Sequence, residues 1–286
     1  MKARTVFVAF LSVRDGRHDA FLDWHELDHR PENHGGIDHI FHSERFIAGP
    51  DMLAGRRVAG SGPFADPGQY LMTYWSTAEP DQVTHDMAVL REQLSAQGRC
   101  HPINWDFTAT WRQRMYLAAA YASPRHIASA AAAYLTNHDR LVVTVGRYPD
   151  DPTWQQWYAD EGLGALFGDT RITAAYTLMP SLGEADEPFV HLHYGLAGAD
   201  RDDPPVQDAV AAAYSSGPAD RPELLFQGSY VAQHAAQPRY YTWPAWGEGV
   251  RPSLLTIIMV MIGGWTPSMK RQPPRLLRHR AGRRSA

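Results

Sequence analysis

The chain has 286 residues, 44% of them hydrophobic and 20% charged, which is enough apolar surface for a sizeable core, room for two ordinary domains, and a bar to overall disorder. Its single cysteine, Cys100, excludes an internal disulfide framework and a cysteine-rich metal cluster, a usage that fits a reducing cytoplasm. Basic residues from Lys270 to Arg284 form an acid-free tail, while residues 1 to 269 carry 20 basic and 31 acidic side chains, so no specific nucleic-acid binding is expected of this acidic body.

Residues 4 to 13, RTVFVAFLSV, are apolar on both alternating faces and predict a strand buried on both sides. No small-residue cleavage pattern follows before Arg14-Asp15, so this run is read as a first strand and not a leader. A helix is predicted from about His18 to Arg30, stopped by Pro31, with Phe21, Trp24 and His25 along one side and Asp28 continuing the stripe. Gly35-Gly36 reverses the chain into a second strand, DHIFHSERFIAG. Residues 50 to 68 read as a glycine- and proline-punctuated loop, and QYLMTYWST as a third strand. Val83, Met87, Leu90 and Leu94 give the core stripe of a helix over roughly Asp81 to Ala96. A fourth strand lies within DFTATWRQRMYLAAAY. The order β-α-β-β-α-β over residues 1 to 122 is that of a ferredoxin-like unit, and the alanine-rich stretch within residues 123 to 138 predicts a connecting helix.

The plan then repeats over residues 139 to 237. LVVTVGRY answers to the first strand, TWQQWYADEGLG to the first helix, DTRITAAYTLMPSL and FVHLHYGLAG to the next two strands, PVQDAVAAAYSSG to the second helix and LLFQGSYVAQH to the last strand. A shift of 133 residues sets Trp157 on Trp24 and Glu161 on Asp28, but Tyr158 on His25 and Gly162 on His29, so the first half alone keeps those histidines. Residues 238 to 286 form an extension. Its apolar run of about a dozen residues falls short of the roughly 20 that a membrane helix needs, so a docked segment with a disordered basic tail, and no membrane association, is expected.

The segment from Phe21 to Phe46 holds five of the fourteen histidines. His29 is the first candidate for a general base, because an imidazole takes a proton near neutral pH and Asp28 or Glu32 can orient it or hold its charged form. A capping histidine at the helix end is the competing account. His25-Glu26-Leu27-Asp28-His29 also spells His-Glu-x-x-His, a zinc-hydrolase pattern in which His25 and His29 bind the metal and Glu26 activates water, with His34, Glu32 or His42 as third ligand. His191 and His193 share one strand face and would meet His29 or a substrate oxygen if that face lines the pocket; a solvent-facing edge is the alternative. Arg45 suits a substrate anion or a surface ion pair. Trp24, Tyr70, Tyr74, Trp75, Trp111 and Tyr116 supply aromatic surface for a flat apolar ligand or for the core. No glycine-rich phosphate cradle and no Gly-x-Ser-x-Gly elbow is present, which leaves nucleotide binding and serine-hydrolase chemistry unsupported.

FLDWHELDHRPE, the glycine turn after it and the strand carrying SERF resemble the EthD-like branch of the dimeric α+β barrel superfamily, in Phe21, Trp24, His29 and Pro31. The resemblance implies two ferredoxin-like units packed sheet against sheet around an apolar pocket, here paired within one chain as a pseudo-dimer, with a homodimer of such chains also open. Because the second unit lacks the histidine, it implies one site per chain. The expectation is an α+β fold of two tandem ferredoxin-like units, a cytoplasmic enzyme acting without a cofactor on a small apolar or aromatic molecule by isomerisation, cyclisation, dehydration or oxidation. His29, Asp28 and Glu32 would be catalytic, and Trp24, His25, Arg45, Tyr74, His191 and His193 would bind substrate. A zinc hydrolase, a haem enzyme with an axial histidine, and a non-catalytic binder are the alternatives.

Overall fold

The computed structural model describes residues 2–58, 62–99, 107–125, 129, 130, 134, 138–169, 171–180, 187–196 and 206–233. Its strands are β1 (Thr5–Val13), β2 (Ile40–Ile47), β3 (Arg57–Val58), β4 (Tyr70–Ser76), β5 (Phe107–Ala122), β6 (Arg140–Arg147), β7 (Ile172–Met179), β8 (Phe189–Gly195) and β9 (Glu223–Ala232). They pair antiparallel in the order β2-β4-β1-β5-β7-β8-β6-β9, and β9 returns to β2 through Phe46↔Ala232 and Ile47↔Val231. Eight strands therefore close into a barrel, and closure removes the open edges that invite aggregation. β3 adds two residues against β9. In each half the strand order is that of a ferredoxin-like unit, so the chain is an α+β barrel made of two tandem units.

Strand β5 joins the halves. Phe107 to Tyr116 pair with β1, and Tyr116 to Ala122 pair with β7. The halves thus meet edge to edge along β5–β7 and β2–β9, and their inner faces oppose each other across the barrel. Alternation decides what fills it: Val6, Val8 and Phe10 of β1 point inward with Trp75, Met115, Tyr176, Tyr194 and Phe226, all fully or almost fully buried. Burial of each such large side chain contributes about 1.5–3 kcal/mol. The expected apolar pocket between the sheets is instead a packed core, because residues this bulky from both inner faces interdigitate.

The outer faces carry the helices. In the first half these are α1 (His18–Trp24), a π-helical turn (His25–His29), α2 (Arg30–Gly36), α3 (Pro50–Ala54) and α4 (Pro80–Ala96); in the second, α5 (Thr153–Trp157), a π-helical turn (Tyr158–Gly162), α6 (Leu163–Asp169) and α7 (Val206–Ser216). The predicted stop at Pro31 does not occur, and the helical path runs on to Gly36. Proline lacks an N–H and its ring crowds the carbonyl one turn earlier, but a π turn widens the helix by one residue and makes room. The second half has the same wide turn 133 residues on, with Gly164 in the place of Pro31, so the bulge belongs to the shared plan and the proline exploits it. Residues 50 to 68, read as loop, contain α3 and β3. The connecting helix falls largely, and the extension after Gln237 wholly, outside the described residues. Among the described residues no helix is long and apolar enough to cross a membrane.

One backbone position tests the closure of β4 onto β1. Gly68 has φ +79°, and a Cβ there would lie 2.2 Å from the Leu11 carbonyl oxygen, whereas Gly62 has the same φ with open space around it. Gly68→Ala is expected to cost at least about 2 kcal/mol and Gly62→Ala about 1 kcal/mol, read from urea unfolding midpoints.

Candidate functional site

A cavity of about 660 Å³ lies outside the barrel, between the outer face of the first-half sheet and the helices that cover it. Its floor is Phe7, Ala9 and Leu11 of β1 with Met72 and Tyr74 of β4, the residues that alternate with the barrel core. Met87 and Leu90 of α4 form one wall, and Trp24, His25, His29 and Asn33 form another. The wide π turn brings His25 and His29 to that wall together, ring centroids 5.8 Å apart. His29 is inside a continuous helix, not at its end, so the capping account fails.

His29 stacks on Trp24 at 4.6 Å, and Trp24 stacks in turn on Phe107 at 5.3 Å. Asn33 donates from Nδ2 to the His29 carbonyl at 2.9 Å and lies 3.2 Å from Nε2 of the ring. With the amide nitrogen fixed by the carbonyl, its second hydrogen faces the Nε2 lone pair of a neutral imidazole. Burial, then the neighbouring His25, opposed by Asp28, lowers the His29 pKa to about 3. The carboxylates expected to orient His29 are engaged elsewhere: Asp28 and Glu32 each meet Arg99 at 2.6 Å. Burial and the nearby Asp28 carboxylate raise Glu32, with Arg99 opposing.

His25 is tied at both ring nitrogens. Nδ1 lies 3.1 Å from Glu26 Oε1, and Nε2 lies 3.2 Å from the Tyr74 hydroxyl. Arg45 Nη1 is 2.6 Å from Glu26 Oε1 and 3.3 Å from Nδ1; the shorter contact satisfies the guanidinium and leaves Nδ1–H to donate to the carboxylate. Arg30 holds the other carboxylate oxygen at 3.1 Å. Burial by itself would raise Glu26, but the His25 hydrogen bond and the charges of Arg45 and Arg30 outweigh it and hold the carboxyl at about 2. Burial lowers His25 to about 4 against the pull of Glu26, and pushes the Tyr74 phenol up, so both stay neutral at pH 7. Arg45 is 4% exposed and serves this buried cluster; it is neither a surface ion pair nor part of the cavity lining.

The zinc arrangement does not assemble. Both His25 nitrogens are engaged, Glu26 faces two guanidinium groups, and among the described residues no three His, Cys, Asp or Glu side chains come together to hold a metal ion. For an axial haem ligand, both His25 nitrogens already meet protein groups, whereas His29 Nε2 has one 3.2 Å contact, with Asn33.

His191 and His193 do not reach this cavity. They project from the outer face of the second half, while Val190, Leu192 and Tyr194 line the barrel. Neither faces solvent. His191 Nε2 bonds the Tyr148 hydroxyl at 2.6 Å and Nδ1 meets Tyr214, and His193 Nε2 bonds Tyr158 at 2.6 Å. Trp154, where Phe21 stands in the first half, stacks on Tyr158 and fills the equivalent space. Trp75 and Trp111 belong to the barrel core, and Tyr70 to the outer layer. Sequence reasoning passed over Asn33, Arg112 and Arg114. Asn33 follows His29 by four residues on one helical face, and the two arginines alternate on a strand otherwise rich in apolar groups; both spacings were legible.

No protein-family model and no curated protein matches the chain. Among solved structures it is similar to an anthrone oxidase-like protein, at 12% identity over 82% of this chain and 92% of that one, TM-score 0.45. It is similar also to the encapsulated DyP-type peroxidase of Mycobacterium smegmatis, at 11% identity over 81% and 93%, TM-score 0.48. A mutant chlorite dismutase from Candidatus Nitrospira defluvii matches at 9% identity over 82% and 92%, TM-score 0.48. Likeness at this level carries no chemistry across.

Two outcomes follow from the buried charges. Arg45→Met leaves Glu26 without its nearest cation and is expected to destabilise the fold by about 3–5 kcal/mol in denaturant melts. His25, His29 and His193 are neutral in the fold, at about 4, 3 and 4, and titrate near 6.5 when unfolded. The unfolded chain then binds protons that the fold refuses, so stability is full above pH 6.5 and lost as pH falls toward 4. Thermal melts from pH 7.5 to 4 check this; a flat profile would contradict the neutral state of these imidazoles.

Proposed function

We propose that the cavity is the active site of an enzyme that moves a proton on a small, flat, apolar or aromatic molecule, with His29 as the proton carrier. The observation that carries this reading is the contrast between the two imidazoles. His25 is locked between Glu26 and Tyr74, whereas the Nε2 of His29 has one long contact, from Asn33, that a substrate can replace. Trp24 holds the His29 plane from behind, and the apolar floor and the α4 wall set a ligand beside it.

In the simplest step a C–H bond next to a substrate carbonyl breaks. The proton passes to Nε2, and the electron pair moves to the carbonyl oxygen as an enolate. Return of the proton to another carbon gives an isomer and restores the neutral imidazole. Tyr74, kept protonated by burial, and the fixed Asn33 amide are the polar groups beside this step. The EthD-like character of FLDWHELDHRPE supports a small-molecule enzyme of this kind, and the filled counterpart in the second half supports one site per chain. A non-catalytic ligand carrier is the rival reading, favoured by the low proton affinity that burial gives His29.

Deuterium uptake at the α-carbon of a panel of aryl ketones in D2O, followed by proton NMR, separates the two. The wild-type protein is expected to catalyse exchange, and His29→Asn to reduce the rate by about 100-fold or more while leaving the melting temperature near that of the parent. Because His29 titrates at about 3, the rate is expected not to fall through the ordinary imidazole range near 6.5 over the pH range in which melts show the protein folded. Exchange by His29→Asn at the parent rate would sink the assignment.

A further inference from the structure

We infer that the ligand of this cavity is an anion, a flat apolar or aromatic molecule bearing a carboxylate or enolate that pairs with the guanidinium of Arg114, with Arg112 beside it. The inference deepens the proton-transfer reading and rests on the same cavity.

Arg112 and Arg114 alternate on β5, opposite Ala9 and Phe7 of β1, so both rise from the cavity floor. Arg114 is partly buried, and Arg112 is exposed at the cavity rim. Its guanidinium carbon sits 5.2 Å over the Phe7 ring, Nη2 has a weak contact of 3.9 Å with Met87 Sδ, and Nε is buried without a hydrogen-bond partner. Among the described residues no carboxylate pairs with Arg114. Among the described residues two carboxylates reach the cavity; Glu32 is bound to Arg99 and Glu92 is exposed on α4. A guanidinium drawn into an apolar cavity beside a second one is unfavourable unless an opposite charge meets it. Burial, and then Arg112, accordingly lowers the Arg114 pKa.

The second half provides an internal comparison. In the equivalent register, β9 places Ser229 opposite Val142 and Gln227 opposite Thr144. Both are neutral: Ser229 donates to Gln207 at 2.9 Å, and Gln227 donates from Nε2 to Thr144 at 3.1 Å while its Oε1 is buried without a partner. The basic pair therefore occurs in the half with the cavity and is replaced by neutral groups in the half where Trp154 and Tyr158 fill the space. A planar fork of donors against a carboxylate is the pairing this geometry suits. The bound negative charge would also raise the proton affinity of His29 in the same cavity, where burial alone leaves it a weak base.

The test uses the full-length protein and a matched pair of probes, 2-naphthoate and neutral 2-naphthamide, titrated calorimetrically at low salt. Naphthoate is expected to bind about tenfold or more tighter than naphthamide. Arg114→Gln and Arg112→Gln should each erode that preference while naphthamide binds as before, and Arg114→Lys should keep part of it. Circular dichroism confirms that each variant is folded. Equal affinity for the two probes, a preference that survives both glutamine variants, or binding of neither probe at millimolar concentration would overturn the inference. Naphthoate preference together with full exchange activity in His29→Asn would sink the proton-transfer reading and leave this one standing.

Discussion

Closure of the barrel is the constraint on which the rest depends. Once β9 pairs with β2 and β5 bridges the halves, each of the eight barrel strands has one face committed to the interior, and that interior is filled by Phe10, Trp75, Tyr176, Tyr194 and Phe226. The cavity beside His29 lies where a helix fails to pack tightly on an outer face. In the first half, α4 and the α1 helix stand apart over Phe7, Ala9 and Met72, and in the second the same layer is closed by Trp154, Tyr158 and Tyr214. The site is thus a property of how one half covers its sheet, not of the cavity between two sheets.

The halves also show how one polar device is written in two ways. In the first, a helix histidine meets a strand tyrosine, His25 to Tyr74; in the second, a helix tyrosine meets a strand histidine, Tyr158 to His193. The registers Phe7↔Tyr74 and Val142↔His193 put the two strand residues at matching places. Either order satisfies a buried hydrogen bond between helix and sheet. What differs is the surroundings. Glu26, Arg30 and Arg45 back the first pair with a compensated cluster of charges, whereas aromatic rings back the second. The first arrangement keeps a polar edge at a cavity wall, and the second is a sealed core.

Much of the architecture was legible because periodicity is a local property. Alternation in RTVFVAFLSV, the stripe of Val83, Met87, Leu90 and Leu94, and the 133-residue repeat all reflect which side of an element is buried, and that choice is written in neighbouring residues. The helix through Pro31 was not legible, because a π turn makes no distinctive composition and proline ordinarily stops a helix. The ion pairs of the carboxylates beside His29 were not legible for a related reason. Asp28 and Glu32 are its neighbours in sequence, but Arg99, from beyond α4, claims both.

By itself the sequence determined the element order, the duplication, the loss of the histidines from the second half and the absence of a disulfide framework, since composition and spacing carry these directly. Tertiary structure alone decided which of two faces of a strand becomes barrel core and which becomes cavity floor. A strand buried on both sides, as β1 is, alternates apolar residues on both faces and so hides the distinction. It also decided that His191 and His193 lie in a different layer from His29, and that Arg112 and Arg114 face the space beside it. Those are outcomes of pairing between strands distant in sequence, which no local pattern encodes.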